Sequence, residues 1–220
     1  MTFCKELQAD NKRIFLAGII EGLSSEAKKV REFITNLTPD CIGVAVPEEI
    51  ILELKAEELE NDYNNKIALG FEDEIYARKL AVYGEVRVPW LYLEELVKQS
   101  RALRIPLESV DMSNEEYLKA FIECITPFQW IRYNLRLKRL KNKKFKARTA
   151  EEFVYEWKKA VTKIKGYRNL ELRRNCYIAT KILSVLDTVK SRILVFVKRQ
   201  NFELIERELI QLLSSHQHYT

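Results

Sequence analysis

Two short apolar runs on either side of one amphipathic segment constrain this chain more than any other feature. RIFLAG (13–18) and CIGVAV (41–46) lack the apolar/polar alternation of a half-buried strand, so each is expected to be a strand covered on both faces. Between them, Ala27, Val30, Phe33, Ile34 and Leu37 recur at helical spacing. Ser24 or Ser25 is placed to cap that helix, and Thr38-Pro39-Asp40 to end it. Strand, helix, strand with short joints and double-sided burial predicts a parallel β-α-β unit in an α/β protein with a central, mainly parallel sheet.

The alternation continues. Pro47 is placed at the start of a helix over EEIILELKAEELEND, with Ile50, Leu54 and Ile51 inward. Further helices are expected over 72–82 and 91–104, and a third strand over 105–112. Beyond this point helices dominate. One opens at Ser113 with Glu116 at capping-box spacing, one at Thr149 with Glu152, and one covers 169–187. A late apolar run, SRILVFV (191–197), then returns as a strand, followed by a final amphipathic helix. The chain therefore reads as a single α/β domain over 1–220, with 113–187 as a helical insertion before the last strand.

With 47% hydrophobic and 31% charged residues, the composition is that of a packed globule and excludes a disordered chain. No apolar run reaches the roughly 20 residues needed to cross a bilayer, and MTFCKELQADNKR has no signal-peptide stretch, so a cytoplasmic protein is expected. Cys4, Cys41, Cys124 and Cys176 lack zinc or redox spacing and are expected to be reduced packing residues. The two histidines, His216 and His218, stand in the terminal SSHQH, which leaves a catalytic triad in the core without its usual base.

Several segments in order resemble the TraB/PrgY-type proteins, whose superfamily also includes the ChaN, erythromycin-esterase and Tiki branches. They are RIFLAGIIEGLSSEAKKVREFITNLTPDCIGVAVPEE, EDEIYARKLAVYGEVRVP with IPLESVDMSNEEY, FKARTAEEFVYEW, and LRRNCYIATKILSVL. Together they look like archaeal TraB-like relatives in particular. The resemblance implies an EreA/ChaN-like fold with a site at the strand ends, and it shows where this sequence departs from the pattern. The G-T-x-H after the first strand is here GIIE, keeping Gly18 but placing Glu21 where the histidine stands. The late G-x-G-H is replaced by VKRQ, with Lys198, Arg199 and Gln200. In the E-R-D-x-x-M-A motif, Arg174 and Ala179 match, while Arg173 and Asn175 replace the Glu and Asp.

The resemblance therefore implies an inherited fold with both histidine motifs gone, and catalysis lost with them. The candidate site comprises Glu21, Glu48, Glu74 and Arg174 as carboxylate and guanidinium groups, with Gly18, Lys198 and Arg199 as ligand-binding positions. Cations at the former imidazole corner favour a small anionic ligand over a divalent metal, and no cofactor is expected. Residual carboxylate-dependent hydrolysis is the enzyme-class alternative.

A second candidate is the basic run RYNLRLKRLKNKKFKAR (132–148), which contains no acid. Arg132, Arg136, Lys138, Arg139, Lys143 and Lys144 form either a nucleic-acid or docking surface, or the solvated face of an amphipathic helix with Ile131, Leu135 and Leu140 inward. An anionic membrane surface is a third reading. The stripe Phe153, Trp157, Val161 and the nearby Trp90 are expected to pack in the core or at a homodimer interface.

Overall fold

A computed structural model describes residues 3–60, 70–88 and 90–216. Strands β1 (Cys4–Ala9), β2 (Lys12–Ile19), β3 (Cys41–Val44), β4 (Leu107–Ser109) and β5 (Arg192–Lys198) form one sheet in the order β1-β2-β5-β3-β4. All neighbours pair in parallel except β1, which turns back antiparallel on β2. The fold is thus α/β, as the apolar runs predict. The last strand, β5, lies between β2 and β3, so the strands of the opening β-α-β unit do not touch each other.

Helices α1 (Glu26–Leu37), α2 (Glu48–Glu60) and α4 (Leu91–Leu103) cover one face. Alternate residues explain the packing: Leu194 and Phe196 of β5 face these helices, while Ile193, Val195 and Val197 face the opposite layer. That second layer is α8 (Lys165–Thr188) with α9 (Phe202–His216). Helices α3 (Phe71–Leu80), α5 (Asn114–Cys124), α6 (Pro127–Asn142) and α7 (Ala150–Val161) complete the chain. An aromatic cluster of Tyr76, Tyr133, Phe153 and Trp157 joins α3, α6 and α7 into a cap over the carboxyl ends of the strands. Between β4 and β5 run α5 to α8; α8 packs on the sheet, and α3, from earlier in the chain, shares the cap's core.

The opposite end of the sheet is closed by one carboxylate. Asp40 Oδ2 accepts hydrogen bonds from Ser191 N (3.0 Å), Ser191 Oγ (2.9 Å) and Arg192 N (2.8 Å), tying the entry of β3 to that of β5.

Several local expectations are corrected. β1 was not anticipated. The third strand is confined to 107–109, because Val110 to Met112 turn away to approach α5 and α8. Ser25 occupies the cap position of α1 but makes no side-chain capping bond. Full capping boxes form at Ser113/Glu116 and, unanticipated, at Thr126/Gln129, whereas at Thr149 only the hydroxyl caps, Glu152 accepting from Arg148 N instead. The inward face of α6 is Tyr133, Leu137 and Leu140, whereas Ile131 and Leu135 are about half exposed (52% and 50%). Phe153 and Trp157 are buried within this chain, with Val161 packed against them, so that stripe is not available to a second copy. Trp90 packs against the core beside α4; Pro89, the His216 side chain and His218 lie outside the described residues. Among the described residues no helix is long and apolar enough to cross a membrane. The four cysteines are free thiols, and burial pushes those of Cys4 and Cys41 up to about 11 and about 12, leaving them poor nucleophiles.

Candidate functional site

A polar recess of about 320 Å³ lies between the carboxyl ends of β2 and β5 and the helical cap. Its floor is made by two side chains from adjacent parallel strands. Lys198 closes β5, paired in register with Ile19, and Glu21 follows two residues beyond β2. Gly22 comes next with φ +95°, a conformation that disfavours any side chain, and a Cβ there would meet the Trp90 ring at 3.0 Å. This turn fixes Glu21 in place. Its Oε2 lies 2.7 Å from Lys198 Nζ, and its Oε1 accepts a hydrogen bond from Tyr92 Oη at 3.1 Å. Its backbone carbonyl accepts another from Tyr76 Oη at 3.2 Å. Burial alone would lower the Lys198 ammonium; the Glu21 carboxylate outweighs it and holds Lys198 above the ordinary lysine value.

The second fixed charge pair stands beside the first. From α8, Arg174 donates through Nε to Asp111 Oδ1 at 2.9 Å and through Nη2 to Oδ2 at 2.5 Å, a fork that only guanidinium makes. Asp111 is almost fully buried and also accepts from Met112 N at 2.8 Å. Burial would lower the Arg174 guanidinium, and Asp111 more than restores it.

The remaining charged lining is unbalanced. From α3 come Glu72, hydrogen-bonded by Tyr133 Oη, and Asp73; from α8 comes Glu171, which accepts from Asn201 Nδ2 at 3.3 Å. Against these three acids stands Lys158 of α7, whose ammonium donates to the Gln200 carbonyl at 2.9 Å. Desolvation raises both Glu72 and Asp73 above the usual carboxylate range and lowers Lys158. Gln200 Oε1 and Asn201 Oδ1 are buried with no hydrogen-bond donor among the described residues, and both residues line the recess. Acceptors of this kind are costly unless a ligand or water supplies the donor.

Of the sequence-predicted positions, the structure brings Glu21, Arg174 and Lys198 together. It does not bring in the others. Glu48 is exposed at the start of α2; its neighbour Glu49 turns inward instead and accepts from Asn114 N at 3.1 Å. Glu74 is exposed and lies beside Arg78 and Lys141, on the far side of α3. Arg199 points away, into a pocket of its own. It bonds Glu151 and Glu203, each at 2.7 Å, with the Phe3 ring centroid 3.3 Å from its guanidinium carbon. Gly18 serves that packing, since a Cβ there would meet Arg199 Cδ and Phe202 Cδ2, each at 3.1 Å.

Glu72, Lys158 and Glu171 were missed. Glu171 was findable, because it precedes Arg174 by three residues and so shares its helix face. Glu72 and Lys158 depend on how the cap packs, which periodicity does not give. Among the described residues no group of three or more His, Cys, Asp or Glu side chains is arranged to hold a metal. The acids are spread across α3, α8 and the sheet end, two of the anions being already committed to Lys198 and Arg174. The arrangement is therefore suited to hydrogen-bonding and ion-pairing a small polar molecule. No protein-family model matches the chain, and no curated protein matches it.

Proposed function

We propose that the chain is a small-molecule-binding domain of TraB/PrgY-type ancestry in which histidine-based catalysis has been replaced by recognition. One observation carries the reading. Glu21, where that resemblance places the first missing histidine, meets Lys198, from the Lys198–Gln200 stretch that stands in place of the second histidine motif, at 2.7 Å. A salt bridge there leaves no open coordination corner but keeps the recess shaped. The ligand is read as small, polar and doubly charged: Glu72, Asp73 and Glu171 receive a cationic group, while Lys158 and the edge of Arg174 receive an anionic one. The internal pairing of Lys198 and Arg174 argues against a purely anionic ligand.

The test is thermal shift and calorimetry with three probe classes: α-amino acids, simple amines and inorganic phosphate. Amino-acid-like zwitterions are expected to raise Tm, with Glu171→Gln and Lys158→Met each removing the shift. A Tm that no class moves, or a metal-dependent hydrolysis of esters or peptides that EDTA abolishes, would overturn the proposal.

A second reading rests on the raised carboxyls. Glu72 beside Asp73 has the character of a general acid, so residual hydrolysis would run through these residues and not through Glu21. Turnover lost in Glu72→Gln but kept in Glu21→Gln would favour it.

A further inference from the structure

The outer side of the cap carries a second, chemically different feature. Along α6, Arg132, Arg136, Arg139 and Lys143 stand at i, i+4, i+7 and i+11, which places them on one stripe of the helix. That stripe borders a recess whose opposite wall is α7 and the start of α8, with Lys159, Lys163 and Arg168. Lys159 and Lys163 are themselves one turn apart. Among the described residues the single acid lining the recess is Glu156, whose Oε2 already accepts from Lys146 N at 3.2 Å.

Among the described residues none of these cations forms a salt bridge. What holds them is neutral. Arg136 Nε donates to the Ala160 carbonyl at 2.5 Å, leaving the outer guanidinium nitrogens free. Arg132 lies over the Phe128 ring at 5.8 Å and Lys143 over Phe145 at 4.6 Å. Three of the side chains are thus positioned while the cluster's charge stays unpaired and solvated, which creates a positive potential that draws anions in.

We infer that this groove between α6 and α7 binds the phosphodiester backbone of a single-stranded nucleic acid, independently of the ligand recess. Three features select that occupant. The α6 stripe runs about 16 Å, eleven residues at 1.5 Å each, so it meets several successive phosphates and not one isolated anion. Cations on both walls of a recess converge on a narrow chain, whereas a flat anionic bilayer would reach only the rim. The exposed apolar residues of α6, Ile131 and Leu135, flank the basic stripe but do not line the groove, so the groove itself presents charge. Lys138 and Lys144 are exposed outside the groove lining and add only to the surrounding field.

Fluorescence anisotropy of the full chain with labelled 20-nucleotide RNA and DNA of one mixed sequence, from 50 to 300 mM KCl, tests this. Saturable binding is expected, with a log–log salt slope of about −3, four phosphates at roughly 0.7 each. Double charge reversal Lys159→Glu/Lys163→Glu should weaken binding at least tenfold and make the slope shallower by about 1.4, and Arg139→Glu should weaken it from the other wall. Far-UV circular dichroism verifies that each variant is folded. Lys28→Glu, on exposed α1, should leave affinity unchanged. Comparing RNA with DNA shows which sugar the groove prefers. The inference fails if no binding occurs at 50 mM KCl, if the groove variants bind like the parent, or if Lys28→Glu weakens binding equally. It also fails if phosphatidylserine vesicles, and not oligonucleotides, are bound through these same residues.

Discussion

Helix α7 divides two regions that use charge in opposite ways. On its inner side Lys158 faces a recess where Glu21 is matched by Lys198 and Asp111 by Arg174. On its outer side Lys159 and Lys163 face a groove of cations that, among the described residues, have no ion-pair partners. Two consecutive residues, Lys158 and Lys159, thus face opposite surroundings, the first a recess with acids unpaired among the described residues and the second a groove of cations. The two inner pairs are largely removed from water and must stay matched to be tolerated, so they are part of the fold. The outer charges keep their solvent and counterions, which a polyanion can displace, so they contribute little to folding and remain available for binding.

The comparison breaks most readily at Arg174. Replacing it with Leu strands the almost fully buried Asp111, and a loss of about 3–5 kcal/mol is expected in urea denaturation. A loss under about 1 kcal/mol would mean that the inner pairs are not needed for folding. Lys198→Met should cost somewhat less, roughly 3 kcal/mol, since Lys198 keeps some solvent contact. Adding Glu21→Leu should restore much of that, and the double-mutant coupling measures the pair directly.

A smaller effect is expected at Glu72, where the sign depends on pH. Its folded pKa is raised, so the folded state holds the proton more tightly than the unfolded chain does. That contribution is present at acid pH and is lost as pH rises through the folded value. Glu72→Gln should therefore raise the urea midpoint at pH 7.5 and change it little near pH 4. The smallest effect is expected outside: Lys163→Glu should leave the midpoint unmoved. A marked shift there would show that the groove charges, too, are structural.

How much of this was legible follows from what each residue faces. β2, β3 and β5 could be read because strands buried on both faces are written as unbroken apolar runs. β1, CKELQA, could not: as an edge strand it buries only Leu7 and Ala9, and its remaining residues look like polar coil. The phase of α6 was misread because a helix with apolar residues on more than one side does not announce its inner face. Packing of Tyr133, Leu137 and Leu140 against the cap decides it. Within the site, residues placed by strand ends were legible, Glu21 and Lys198 among them. Those placed by helix rotation were not. In α3 the burial of Ile75, Tyr76 and Leu80 turns Glu72 toward the recess, since it precedes Tyr76 by one turn, and leaves Glu74 outside. The same one-residue sensitivity separates Glu49 from Glu48.

The Asp40 clamp has a consequence for acid. Burial works to raise that carboxyl, but the hydrogen bonds from Arg192 N and Ser191 outweigh it and hold Asp40 below its ordinary value. Its stabilising contribution is therefore present above the unfolded pKa and disappears as pH falls through the folded one. Glu72 and Asp73, at the other end of the strands, respond the opposite way, because protonation removes charges that desolvation penalises. Acidification thus loosens the sheet where β3 and β5 enter while lifting a desolvation cost where β2 and β5 leave, so the molecule has a direction along which it yields.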